Sequence, residues 1–84
     1  MYGLSGKAYP QGQYTVGEDF PLGKYLFVPY NEYSGNVKIF NSYDEYITGK
    51  EGRYESFGGK EYFINFKNKG NYIIVENALF KSIS

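Results

Sequence analysis

The chain has 84 residues, so it can build one hydrophobic core but not a second independent domain. It contains neither cysteine nor histidine, which excludes disulfides, thiolate metal sites and imidazole-based general acid–base chemistry. Nine basic and nine acidic residues are interspersed and give zero net charge, so no basic surface for nucleic acid or anionic lipid is predicted. We therefore expect a protein that is not an enzyme, uses no cofactor or metal, and binds no nucleic acid.

The composition favours β-structure. Eleven tyrosines, seven phenylalanines and eleven glycines suit pleated strands and tight turns better than helices. The longest apolar runs cover only residues 25–28 and 72–75, far short of the ~20 residues of a membrane helix, so membrane insertion is not expected. The first residues lack a charged segment followed by an apolar run, so no secretion signal is predicted in this chain.

The first third of the chain is predicted to form a lead-in and two strands. Residues 1–11 show little periodicity and are expected to form a loosely ordered lead-in to one β domain over residues 12–84. Strands are predicted at residues 12–17 and 24–28, with a turn between them around Phe20 and Pro21. In this turn we expect Phe20 to cover one end of the core and Asp19 to accept a backbone hydrogen bond.

The middle of the chain is predicted to form one strand and the only helix of the expected fold. Residues 36–40 alternate as a strand, and residues 42–48 follow as a short helix. Ser42 and Glu45 have the spacing of a capping box, and Gly49 is a suitable stop.

The remainder predicts four more short strands. They cover residues 53–57, 61–67 and 72–76 and a last segment that passes through Phe80 and ends at Ile83, and residues 68–71 carry the signal of a hairpin turn. The fold class is thus all-β: a compact antiparallel sandwich or small barrel of six to seven short strands with one short helix near residues 42–48.

Two patterns suggest chemistry but have simpler explanations. The acidic pairs Glu18-Asp19 and Asp44-Glu45 could serve a metal or a glycosidase, yet each lies where a carboxylate accepts backbone N–H bonds, in a turn or in the first turn of a helix. Residues 34–41 resemble the first RNA-binding strand of cold-shock domains, but Ile39 replaces an aromatic residue and the net charge is zero.

The tyrosines outnumber what one small core can hold. Tyr25, Tyr62 and Tyr72 lie in predicted strands and are expected in or near the core. A second group falls in or beside the predicted connections, where exposed rings suit contacts with other molecules. The candidate binding residues from this group are Tyr30, Tyr33, Tyr43 and Tyr46. The alternative is that these rings cover the edges of the sandwich.

Both ends of the domain carry a pattern that resembles a known group of proteins. Residues 12–25 are similar to a Gly-x-Tyr-x-Val-Gly-x-Asp-Ile-Pro-x-Gly-x-Tyr signature of small β modules in Gram-positive surface lipoproteins, other exported proteins and phage-related proteins. Phe20 stands where that signature has isoleucine, and residues 69–80 resemble the closing hairpin of the same modules. The resemblance implies an extracytoplasmic accessory domain and no catalytic residue.

Two functional hypotheses follow. In the first, the chain is a non-catalytic binding or accessory module of an exported protein and contacts a protein or a cell-envelope polymer through its surface tyrosines. In the second, it is a structural or assembly domain of a phage or surface protein, and its tyrosines lie at a subunit interface. The sequence leaves the oligomeric state open.

Overall fold

The computed structural model describes residues 7–83 and has eight strands and one short helix in that range. The bounds, in chain order, are β1 Ala8–Tyr9, β2 Gly12–Thr15, β3 Gly23–Pro29, β4 Asn36–Phe40, α1 Tyr43–Ile47, β5 Arg53–Ser56, β6 Tyr62–Phe66, β7 Tyr72–Glu76 and β8 Ala78–Ser82.

The strands form two antiparallel four-stranded sheets. One sheet has the order β1-β8-β3-β6, and the other has the order β2-β7-β4-β5. The predicted all-β sandwich is therefore confirmed. The described part of the chain has eight strands where six to seven were expected, because Ala8–Tyr9, inside the predicted lead-in, pairs with β8 and stacks the Tyr9 ring on Phe80. Residues 1–6 of that lead-in, for which no secretion signal is predicted, lie outside the described residues.

The hairpin predicted around residues 68–71 is wrong. The chain does turn there, but β6 pairs with β3 in the first sheet, whereas β7 pairs with β2 and β4 in the second. Residues 68–71 thus connect the two layers. A turn signal specifies a change of direction, whereas the partner of each strand depends on which faces must be buried together.

The core lies between the two sheets, and most of its aromatic rings come from the first sheet. Alternation along the strands directs every second side chain inward, as with Tyr25 and Phe27 on β3. The residues of this core are Val16, Phe20, Tyr25, Phe27, Val37, Ile39, Ile64, Phe66, Ile73, Val75, Ala78 and Phe80.

A short sequence motif that occurs twice positions two tyrosines of this region. The sequence Pro-x-Gly-x-Tyr occurs at residues 10–14 and again at residues 21–25. In each copy the tyrosine hydroxyl donates a hydrogen bond of 2.6 Å to the proline carbonyl, Tyr14 to Pro10 and Tyr25 to Pro21. Both rings can therefore enter the core region with their polar ends satisfied.

This burial predicts a loss of stability at alkaline pH. Burial raises the pKa of Tyr25 and of Tyr14 above the ordinary value of 10.0, and the hydrogen bond to Glu55 raises the pKa of Tyr62. Because the folded state holds these protons more tightly than the unfolded state, their contribution is complete below pH 10 and declines as pH rises above it. Urea unfolding at about pH 8 and about pH 11, compared between the wild type and Tyr25→Phe, measures the effect. We expect a smaller alkaline loss in the variant, and equal losses in both proteins would contradict this assignment.

Candidate functional site: an aromatic face at helix α1

Helix α1 begins and ends as the sequence predicts. The Ser42 hydroxyl caps it by accepting a 3.1 Å hydrogen bond from the Glu45 backbone N–H. The Glu45 carboxylate accepts a 3.3 Å bond from the Asn41 side chain. Gly49 follows the C-cap with a φ of 87°, a conformation that glycine adopts without strain. These local interactions set α1 directly after β4.

The helix lies on the outer side of the second sheet. Since Ile39 and Ile73 point into the core, their neighbours Phe40 and Tyr72 point outward. The Tyr46 ring stacks on Tyr72 at 5.0 Å and meets Phe40 edge-on at 5.2 Å. The Tyr43 ring lies 5.0 Å from Tyr72. Four rings therefore form one continuous cluster that fastens α1 to the sheet.

Around this cluster, three large side chains are more than half exposed. Tyr43 is 51% exposed, Ile47 57% and Tyr54 56%, whereas Phe40 and Tyr72 are buried. Tyr43 and Ile47 are four residues apart and thus share one side of α1, and Tyr54 lies on β5 opposite Lys38 of β4. We call this surface the aromatic face. It consists of Phe40, Tyr43, Tyr46, Ile47, Tyr54 and Tyr72.

A shallow cavity of about 320 Å³ lies in the aromatic face. Phe40 and Tyr54 form part of its wall, and Lys38 and the connection over residues 49–52 form the rest. Its size is at the lower end of the range of ligand pockets, ~300–1,000 Å³. The site thus combines exposed rings with a small recess.

The four tyrosines predicted as binding residues fall into two pairs. Tyr43 and Tyr46 lie on α1, with ring centroids 6.1 Å apart. Tyr30 and Tyr33 lie in the loop before β4, whereas α1 follows β4, so about 13 Å of strand separates the attachment points of the two pairs. Tyr33 is 80% exposed, and the Tyr30 hydroxyl accepts a 3.0 Å hydrogen bond from the Gln11 backbone N–H. The two pairs are at opposite ends of β4.

Sequence reasoning did not place Phe40, Ile47 and Tyr54 among the candidates. Ile47 could have been found from its position four residues after Tyr43 on the predicted helix. Tyr54 stood among the tyrosines near the connections, but its exposure depends on β5 being an edge strand with its outer side uncovered. Phe40 alternates with the core residue Ile39, which indicated that it points away from the core.

The polar groups have structural roles that match the simpler expectations. The Asp19 carboxylate accepts a 2.6 Å hydrogen bond from the Thr15 backbone N–H, as predicted for the turn at Phe20. Asp44 and Glu45 lie in the first turn of α1. Burial, followed by the neighbouring Tyr46 and Tyr43, raises the pKa of Tyr72, whose hydroxyl donates to Gln13. The six side chains that define the aromatic face include no carboxylate and no amine.

These observations define the protein as a small antiparallel β-sandwich with an aromatic surface built around one helix. Comparison with protein-family models, curated proteins and solved structures finds no match. Over residues 7–83, no helix is long and apolar enough to cross a membrane. In the same range, no three histidine, cysteine, aspartate or glutamate side chains group as ligands for a metal ion.

Proposed function

We propose that this chain is a non-catalytic binding or accessory module of an exported protein, and that it contacts a protein or a cell-envelope polymer through the aromatic face. The observation that carries the proposal is the exposure of Tyr43, Ile47 and Tyr54 around the cluster of packed rings to which Tyr43 belongs. Folding alone would favour covering these side chains. Tyr43 already packs against Tyr46 and Tyr72, so its side chain loses little conformational entropy when a partner binds.

The proposal includes an extracytoplasmic location and a Gram-positive source, because residues 12–25 resemble exported β modules. The lack of histidine and cysteine in the sequence supports a non-catalytic role. The competing function is an assembly domain that buries the same rings against another subunit. In that function the aromatic face would contact a second copy of this chain or a neighbouring subunit. The oligomeric state in solution therefore distinguishes the binding function from the assembly function.

The proposal predicts that Tyr43→Ser combined with Tyr54→Ser weakens binding to isolated Gram-positive cell walls at least about tenfold, since interface tyrosines commonly contribute more than ~1.4 kcal/mol. Both side chains are about half exposed, so the free energy of unfolding should fall by no more than about 2 kcal/mol. Sedimentation with walls before and after protease treatment distinguishes a polymer from a wall-bound protein.

The matched control is Tyr33→Ser, because Tyr33 is 80% exposed but lies at the other end of β4. We expect this variant to bind like the wild type. Weaker binding only in Tyr33→Ser would move the contact surface to the loop before β4. A stable oligomer in light scattering that Tyr43→Ser and Tyr54→Ser dissociate would favour the assembly function instead.

A further inference from the structure

Two edge strands, β5 and β6, lie on the same side of the sandwich. Among the described strands, β5 pairs only with β4, and β6 pairs only with β3. The Tyr62 hydroxyl donates a 2.8 Å hydrogen bond to the Glu55 carboxylate, and the Tyr62 ring stacks on Phe57 at 5.3 Å, so the two edges lie next to each other. An edge strand can pair with a strand of another molecule through backbone hydrogen bonds.

The two sides of the sandwich differ in how far they discourage such pairing. On the opposite side, β1 has only two residues, and β2 begins two residues after Pro10. Short edge strands and proline are common means of preventing contact between edges. Strand β6, in contrast, has five residues and contains neither proline nor a charged side chain. The side formed by β5 and β6 is therefore better suited to pairing with another chain.

Strand β6 and its flanking residues are complementary to a second copy of themselves. Glu61 lies three residues before Ile64, the central residue of β6, and Lys67 lies three residues after it. If two copies of β6 pair antiparallel with Ile64 opposite Ile64, each Glu61 lies opposite Lys67 of the second copy. Neither side chain makes an ion pair within residues 7–83, and opposite charges at facing positions stabilise antiparallel pairing.

Strand β5 is self-complementary in the same way. Arg53 and Glu55 flank Tyr54 and pair with each other at 3.0 Å within one copy. In an antiparallel pair centred on Tyr54, Arg53 lies opposite Glu55 of the second copy, and the two Tyr54 side chains are neighbours. The Arg53 side chain is 66% exposed, so it has room to contact both carboxylates.

One twofold axis can satisfy both pairings. The connection over residues 57–61 joins the two strands, and Tyr54 lies five residues before its middle residue, Gly59, while Ile64 lies five residues after it. The contacts of Tyr62 with Glu55 and Phe57 show that residues at similar distances from Gly59 lie beside each other. Tyr54 and Ile64 are therefore at about the same level, and an axis perpendicular to the sheets at that level relates both strands to their counterparts.

We propose that two copies of this chain associate side by side through β5 and β6, about a twofold axis at the level of Tyr54 and Ile64. Each four-stranded sheet then continues into its counterpart, and both sets of opposite charges meet twice by symmetry. Helix α1 packs over Phe40 of β4 and Tyr72 of β7 rather than over β5, so it stays uncovered in this dimer. The dimer does not depend on the contact function proposed above.

Sedimentation equilibrium between about 5 and 500 µM tests the association, and we expect the wild type to form a dimer in this range. Lys67→Glu should weaken the dimer about tenfold, because like charges then face each other twice. Adding Glu61→Lys should restore the wild-type affinity, because the charges are then exchanged. Both side chains are exposed, so the variants are expected to fold. A monomer throughout the range, no effect of Lys67→Glu, or no restoration by Glu61→Lys would overturn the proposal.

A single introduced cysteine tests the position of the axis, since the chain has no cysteine of its own. A residue on the axis faces its own counterpart at a Cα separation that a disulfide can span, about 4.4–6.8 Å. Tyr54→Cys should therefore give a disulfide-linked dimer on mild oxidation, whereas the matched control Tyr43→Cys, at a similarly exposed position on α1, should not. No linkage of Tyr54→Cys, or equal linkage of both variants, would contradict the proposal. Dissociation of the dimer by Tyr43→Ser would place the contact in the aromatic face instead.

Discussion

Phe20→Ala is expected to lower the free energy of unfolding by about 3–5 kcal/mol. The Phe20 side chain is only 2% exposed and stands where the turn after β2 reaches the core. Five aromatic rings lie within 4.9–6.1 Å of it, those of Tyr9, Tyr14, Tyr25, Phe66 and Phe80. Tyr14 and Tyr25 are tied to backbone carbonyls through their hydroxyls, so these rings cannot move freely into the space that alanine would leave.

Urea unfolding with linear extrapolation measures this change. Leu22→Ala is the matched control, because Leu22 lies two residues further along and is 47% exposed. It should cost less than about 1 kcal/mol. A loss below about 1 kcal/mol in Phe20→Ala would show that the side chain is not part of the core.

Gly59→Asn is expected to lower the free energy of unfolding by about 3 kcal/mol, whereas the same substitution at Gly58 should cost less than about 1 kcal/mol. A side chain at Gly59 would overlap the backbone of Glu32, in the loop that precedes β4. Backbone atoms cannot rotate aside, so the turn or the loop must shift. Gly58 has a φ of 59° with open space around it, and asparagine tolerates that conformation.

Thermal or urea unfolding of the two variants, each compared with the wild type, checks the difference. The Gly59 variant should also alter the amide NMR signals of residues 30–35, since that loop must give way. Equal destabilisation at both positions would mean that backbone conformation, rather than the contact with Glu32, explains the need for glycine in this turn.

Much of the local structure could be predicted from the sequence. Helix α1 follows from Ser42, Glu45 and Gly49, because capping and C-terminal glycine act over a few residues. The strand at residues 36–40 was predicted with its observed bounds. The turn at Phe20 was also predicted with its Asp19 hydrogen bond, because turn chemistry is local as well.

The candidate site was only partly predictable. The sequence indicated that tyrosines near the connections had no room in the core, and Tyr43 and Tyr46 do lie in the aromatic face. Tyr30 and Tyr33 are close to them in sequence but are attached at the other end of β4. That separation could have been predicted, because residues 30–33 precede the predicted strand at residues 36–40 and residues 43–46 follow it. What the sequence could not show is which side chains from other strands, such as Tyr54 and Tyr72, lie beside α1.

The sequence by itself determined the approximate positions of the helix and of seven of the eight described strands, the turns and the alternation of inward and outward side chains. The tertiary structure decided that β6 and β7 belong to different sheets, that β1 pairs with β8, and that β5 and β6 become edges beside a cavity. The physical reason is the range of the interactions. Caps, turns and pleat periodicity act between residues a few positions apart, whereas strand partners are chosen by the burial of whole faces from distant parts of the chain.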